Sequence, residues 1–209
     1  MYNHVVWDFD GTLYDTYPGI TKAFYRAVSE ANIKMDMEEL GAQLRVSIGN
    51  TQKRLVQQYG LNNDEFEQKY IRYRNQIEDV AIPAFPHAIE ICRAVWENGK
   101  QNYLYTHRDR IALRHLEKSG IAQCFTDCIS IEDDFPRKPD PTALLSLANK
   151  YGFAPAECIM IGDRDIDILA GKNAGMAACF FDEHQTTVPA ADYNIFCFDQ
   201  LYDILALKK

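Results

Sequence analysis

The chain has 209 residues, of which 47% are hydrophobic and 25% charged, and carries a formal net charge of -8 at pH 7. A chain of this length buries one ordinary core, or one core carrying a small insert. The acidic balance argues against a nucleic-acid partner, and no apolar run approaches the length that crosses a bilayer.

The amino terminus shows no charged-then-apolar leader, so a cytoplasmic location with no membrane partner is expected. Cys92, Cys124, Cys128, Cys158, Cys179 and Cys197 form no C-x-x-C pair and sit mostly within apolar runs. They read as small core residues in a reducing compartment, not as a disulfide framework or a zinc site. Residues 16–82 hold nine Lys and Arg against nine Asp and Glu, so the whole acidic excess lies elsewhere. That unevenness suggests a separate unit over 16–82 and a remainder that concentrates acids, as around a cation.

The first element is the short apolar run His4-Val5-Val6-Trp7, a buried strand ending at Asp8, where Gly11 cuts it off. Past Asp15 the period becomes helical. Ile20, Phe24, Ala27, Val28 and Ala31 form one stripe, Leu55, Val56 and Tyr59 a second, and Phe66, Tyr70, Tyr73, Ile77 and Val80 a third. No strand is expected over 16–82. Pro83 and Pro86 end the helical run and make a stiff return link. A helix over 87–98 follows, with Ile91, Cys92, Val95 and Trp96 inward and Gly99 as its stop. The pattern then alternates: strand 102–105, helix 109–119, strand near 128–131, a helix opened by Pro141 and closed by Gly152, strand 158–161, helix 165–173, strand 177–181 and a last short helix capped by Asp199. Strand and helix taking turns predict a parallel sheet covered on both faces, an α/β Rossmann-like core of residues 1–15 and 83–209. The all-helical insert of residues 16–82 would enter just past the first acidic loop.

That loop, DFDGTLYDT over 8–16, places Asp8 and Asp10 at a strand's carboxyl end, where open parallel sheets bind ligands. One carboxylate can attack or hold a metal while the other handles a proton, though the same local pattern also fits an Asp-Gly turn. Thr106 ends the run Tyr103-Leu104-Tyr105, Lys138 lies in Arg137-Lys138-Pro139-Asp140-Pro141, and Asp163, Asp165 and Asp167 follow Gly162. All fall at the same sheet edge, and together they suit a phosphoryl group and a hard divalent cation. Singly, each has a plain reading: Thr106 as a good strand residue, Lys138 as a solvated charge, Asp163 and Asp167 as acids at a helix start.

These motifs, in this order and at these intervals, resemble the haloacid dehalogenase superfamily, in its phosphoglycolate-phosphatase-like group with a helical cap inserted after the first motif. The resemblance implies a magnesium-dependent phosphatase acting on a small phosphorylated metabolite, of phosphoglycolate or sugar-phosphate type. In it, Asp8 would be the nucleophile that forms an aspartyl-phosphate, and Asp10 would protonate the leaving alcohol and later take a proton from water. Thr106 would donate to a phosphate oxygen, and Lys138 would neutralise nucleophile and phosphoryl group. Magnesium would be held by Asp8, the carbonyl of Asp10 and Asp163, with Asp167 orienting that shell or ligating through water.

Gly11, Thr12, His107 and Arg108 are expected near the substrate. His107 departs from the Asn often found there, and a packing role competes with substrate contact. Arg164 stands where a small residue is common, beside the metal loop or paired with Asp165. A hinged lid over 16–82 would contribute specificity through Arg45, Lys53 and Arg54, although solvated charges read as well for each. Three further readings stand beside the phosphatase. They are a phosphosugar mutase on the same core, a receiver domain and a non-catalytic phospho-ligand module. The late Asp163 to Asp167 cluster and the helical insert are foreign to a receiver, and Asp10 disfavours a dehalogenase. The expected assembly is a monomer or a dimer.

Overall fold

The computed structural model of the protein describes residues 1–78 and 82–208. The chain divides into two compact units, one of Met1–Tyr14 with Ala84–Lys209 and one of Asp15–Pro83.

The first unit is built on a six-stranded, all-parallel sheet: β1 (His4–Trp7), β2 (Gln101–Tyr105), β3 (Phe125–Ile129), β4 (Cys158–Gly162), β5 (Ala177–Phe181) and β6 (Tyr193–Ile195), in the spatial order 3-2-1-4-5-6. His4 pairs with both Gln101 and Cys158, so β1 is flanked by strands that come much later in the chain. The strand order reverses between β1 and β4, and the crevice past their carboxyl ends is the ligand position of such sheets. Helices cover both faces, as the alternating pattern predicts. On one, Val6, Tyr103 and Met160 pack with Ala143, Leu144 and Leu147 of one helix and Ala170 of another. On the other, the Asn102 side chain donates to the carbonyls of Cys92 and Cys124 at 2.8 and 3.1 Å and accepts from Trp7 Nε1 at 2.8 Å. The helices of this unit are α5 (Ala88–Glu97), α6 (Ile111–Lys118), α7 (Thr142–Tyr151), α8 (Asp165–Asn173) and α9 (Leu201–Ile204).

The second unit is helical among its described residues: α1 (Tyr17–Glu30), α2 (Met37–Val46), α3 (Ile48–Tyr59) and α4 (Asn63–Glu78). Ile20, Phe24, Ala27 and Val28 of α1 form its core, with the Phe24 ring 5.0 Å from Phe66 and 5.2 Å from Tyr70. Val80, the last member of the expected third stripe, lies outside the described residues. α2 has no counterpart in the apolar periodicity, because only Leu40 and Leu44 are buried along it. Its signal is the cap: Asp36 accepts from Glu39 N at 2.9 Å.

Four expectations about the elements are corrected. Trp96 is 49% exposed; it lies about 100° around the helix from Val95, at the edge of the buried stripe. The third strand runs over Phe125–Ile129 and stops before Ser130, whose N–H and hydroxyl both donate to Asp133 Oδ2 and turn the chain. Asp199 lies within a 3-10 turn, Phe198–Gln200, whose start Gln200 Oε1 caps by accepting from Phe196 N and Cys197 N, while α9 itself begins after Gln200 with no side-chain cap. Cys197 is exposed rather than core, and all six cysteines are free thiols.

Candidate active site

β1 delivers Asp8 into the crevice. Asp8 N donates to Ile161 O at 2.9 Å, which extends the β1 and β4 pairing by one residue and leaves the carboxylate 1% exposed. The chain then reverses: Gly11 adopts φ 76°, Gly11 N donates to Tyr14 O and Tyr14 N to Phe9 O. Only a residue without a Cβ takes that backbone conformation cheaply. The turn is pinned by Tyr14, whose hydroxyl pairs with Ser119 Oγ at 2.8 Å and donates to His115 O at 3.0 Å.

Lys138 is the central cation. Its side chain is fully buried, and Nζ donates to Asp8 Oδ1 at 2.6 Å, Asp167 Oδ1 at 2.7 Å and Tyr105 O at 2.8 Å. Three acceptors use its three donors. Asp167, also fully buried, spends its other oxygen on Arg164 N at 3.1 Å, at the start of α8. Asp163 Oδ1 accepts from Thr12 Oγ1 at 3.3 Å. One oxygen from each of Asp8, Asp163 and Asp167 lies within 4.8 Å of the others, while Asp8 Oδ2 is buried with no hydrogen-bond partner. A divalent cation fits this donor set, because three carboxylates face one ammonium and an orphaned carboxylate oxygen is costly unless something binds it.

The electrostatics follow from burial first and from that imbalance second. Burial, opposed by Lys138 and aided by Asp167, pushes the Asp8 carboxyl up to about 6 in the metal-free protein. Burial works against the Lys138 charge too, but Asp167 and Asp8 outweigh it and hold the ammonium above its usual value.

The remaining predicted residues are placed less uniformly. Thr106 is buried, and its Oγ1 accepts from Arg108 N at 3.0 Å. Asp10 is clasped by Arg108: Nε lies 3.0 and 3.2 Å from its two oxygens and Nη2 2.5 Å from Oδ1, with the guanidinium 5.3 Å from the Phe9 ring centre. His107 Nε2 accepts from Lys138 N at 3.0 Å. Arg45, Lys53 and Arg54 all belong to the helical unit, where Arg45 lies over the Tyr17 ring at 4.7 Å, Arg54 donates to Gln43 Oε1 and Lys53 is exposed.

Residues 5–181 match the family model of the haloacid dehalogenase-like hydrolases. The chain belongs to that family. Its relatives include a phosphoglycolate phosphatase from Vibrio parahaemolyticus, 30% identical over 83% of this chain and 81% of that protein. The pyrophosphatase PpaX of Halalkalibacterium halodurans is 27% identical over 99% of this chain and 98% of its own length. Among solved structures, a hydrolase from Streptococcus pneumoniae covers 98% of both chains at 28% identity and a TM-score of 0.65. Among the haloacid dehalogenase-like hydrolases, the chain falls in the phosphoglycolate-phosphatase-like group.

Two contributors to the crevice are absent from the residues singled out by sequence. The Tyr105 carbonyl, which takes one Lys138 donor, leaves no trace in a sequence because every residue has a carbonyl. Gly162 does have a signal, its place immediately before Asp163. A Cβ there would fall 2.3 Å from Asp167 Cβ and 2.5 Å from its Cγ. Gly162→Ala should therefore push Asp167 off Lys138 and lower the thermal midpoint, with phosphate release reduced by about 10-fold or more. Circular-dichroism melting and turnover of the same preparation check this, and an unchanged midpoint would contradict the close approach.

Proposed function

We propose that this protein is a magnesium-dependent phosphatase that hydrolyses a small phosphomonoester of phosphoglycolate or sugar-phosphate type through an aspartyl-phosphate on Asp8. The observation that carries the reading is the state of Asp8: one oxygen fixed by the buried Lys138 ammonium and the other, buried, without a partner. The names of its relatives, phosphatases and pyrophosphatases, point to cleavage of a phosphorus–oxygen bond.

In this reading an Asp8 oxygen attacks phosphorus, the bond to the leaving oxygen breaks, and Asp10 supplies the proton that the alkoxide needs. Water then attacks the phosphorus of the aspartyl-phosphate, Asp10 receives its proton, and the bond to Asp8 breaks. In the structure both Asp10 oxygens accept from Arg108, so Asp10 must give up part of that clasp to carry the proton. Thr106, its oxygen already accepting from Arg108 N, has its hydroxyl hydrogen to give to a phosphoryl oxygen. Lys138 offsets the charge shared between nucleophile and phosphoryl group. Magnesium, held by Asp8, the Asp10 carbonyl and Asp163 with Asp167 supporting, would supply electrostatic stabilisation of the phosphoryl oxygens. Residues 16–82 act as the helical cap, with Arg45, Lys53 and Arg54 as its candidates for an anionic or hydroxylated substrate. The six free thiols suit a cytoplasmic location.

The test is phosphate release from a panel of phosphoglycolate, sugar phosphates, nucleotides and pyrophosphate, with magnesium and with chelator. Metal-dependent release from a monoester supports the reading, and release from none of them contradicts it.

Asp8 also sets a pH dependence. Its folded value of about 6 lies above the usual 3.8, so the fold favours the protonated acid. That contribution is present at low pH and is lost as pH rises from about 4 to about 6, about 3 kcal/mol. A cation competes with that proton and restores the loss. The magnesium-induced rise in thermal midpoint should therefore be larger at pH 7.5 than at pH 5. Differential scanning calorimetry at the two values measures it, and equal shifts would contradict a ligand role for Asp8.

A further inference from the structure

Lys138 sits in the irregular stretch between β3 and α7, so no helix or strand fixes its main chain. Yet its side chain is fully buried on three acceptors, a placement that tolerates little drift of the backbone. The end of β2 grips it twice. Tyr105 O accepts Nζ at 2.8 Å, and two residues on, His107 Nε2 accepts the Lys138 main-chain N–H at 3.0 Å. The His107 ring stands edge-on to Tyr105, centroids 6.2 Å apart at 82°, and Lys138 Nζ lies 4.5 Å from the centre of the same Tyr105 ring. On the far side of the lysine, Asn173 Nδ2 donates to Pro139 O at 3.0 Å. The loop is thus held on both flanks of Lys138.

We propose that His107 is a positioning residue for Lys138: it fixes the ammonium against Asp8 by accepting the Lys138 main-chain N–H, and it does not bind substrate. This rests on the reading of Lys138 as part of the phosphatase machinery. Only an imidazole with a bare Nε2 can accept, so the ring proton is on Nδ1. The surroundings favour that neutral form. Burial first, then Lys138, Arg164 and Arg137, pull His107 down to about 3, against the opposing influence of Asp167.

The test uses His107→Leu, which removes the acceptor, and His107→Gln, whose side-chain carbonyl oxygen can reach the place of Nε2. With the best phosphomonoester of the panel, His107→Leu should lower kcat by about 10- to 100-fold with KM within about twofold, and His107→Gln should recover most of it. In a Lys138→Met background the leucine change should cost nothing further, since its effect passes through Lys138. A rise in KM at unchanged kcat would make His107 a substrate contact and overturn the proposal, as would failure of glutamine to rescue. Nitrogen-15 spectra of the wild-type histidines provide a readout without turnover. They should show His107 as the Nδ1-protonated tautomer, unchanged from pH 5 to pH 9. Titration near 6.5, or a protonated Nε2, would overturn the proposal even if His107→Leu did not fold. Wild-type protein that releases no phosphate while showing the Nδ1 tautomer would defeat the phosphatase reading and leave the hydrogen bond standing.

Discussion

Lys138→Met is expected to lower phosphate release by on the order of 10²- to 10³-fold and to destabilise the fold by about 3–5 kcal/mol at pH 7.5. Both effects come from one ammonium. Lys138 compensates two buried carboxylates, at 2.6 Å to Asp8 and 2.7 Å to Asp167. Methionine fills similar volume but leaves those acids facing each other without the ammonium between them, and a buried charge stripped of its partner is far worse than the pair it came from. The sign of the pH effect follows. Without Lys138 the protonated form of Asp8 is favoured still more, so acidification toward pH 5 neutralises it and recovers part of the loss. Denaturant melts of wild type and variant at pH 5 and pH 7.5 measure this directly. A stability difference that grows on acidification would mean that Lys138 does not carry the charge of Asp8 and Asp167.

Asp8→Asn should abolish turnover, by about 10⁴-fold or more, because an amide neither attacks phosphorus nor carries the charge that draws a cation. Its stability should move the other way from that of Lys138→Met. The amide is neutral and nearly the same shape, and it relieves the excess of carboxylates around one ammonium, so metal-free Asp8→Asn should melt at or above the wild-type midpoint at pH 7.5. Magnesium should raise that midpoint less than it raises the wild type's. A folded Asp8→Asn protein with wild-type phosphate release would place the nucleophile elsewhere.

Much of the fold is legible because parallel strands buried on both faces leave continuous apolar runs. Cys158-Ile159-Met160-Ile161 and Ala177 to Phe181 are read from sequence within a residue of their observed ends. The edges of the sheet are harder. β3 carries Thr126 and Asp127, and β6 is only three residues long, so neither shows a strong apolar signal. α2 is missed for the same reason, having two buried leucines in ten residues.

At the site, Asp8 comes from the end of β1, Lys138 from the stretch between β3 and α7, and Asp163 and Asp167 from the end of β4 and the first turn of α8, and their order along the chain is what makes them readable. The partnerships among neighbours are not. Arg108 and His107 are expected near the substrate, with a packing role competing for His107, and in the structure Arg108 clasps Asp10 while His107 accepts from the Lys138 backbone N–H. A sequence shows which side chains reach the crevice. It does not show which of them are already engaged with one another, since that depends on distances of a few tenths of an ångström across strands.

If hydrolysis runs through Asp8, that residue carries a covalent phosphate during turnover. The most direct measurement is acid quenching during turnover of the best substrate, followed by borohydride reduction and peptide mass spectrometry. An aspartyl-phosphate is reduced to homoserine, whereas an unmodified aspartate is not. Homoserine at position 8, appearing only with substrate and magnesium, is the predicted result. Rapid turnover with aspartate intact at position 8, or with the label on another residue, would contradict the account.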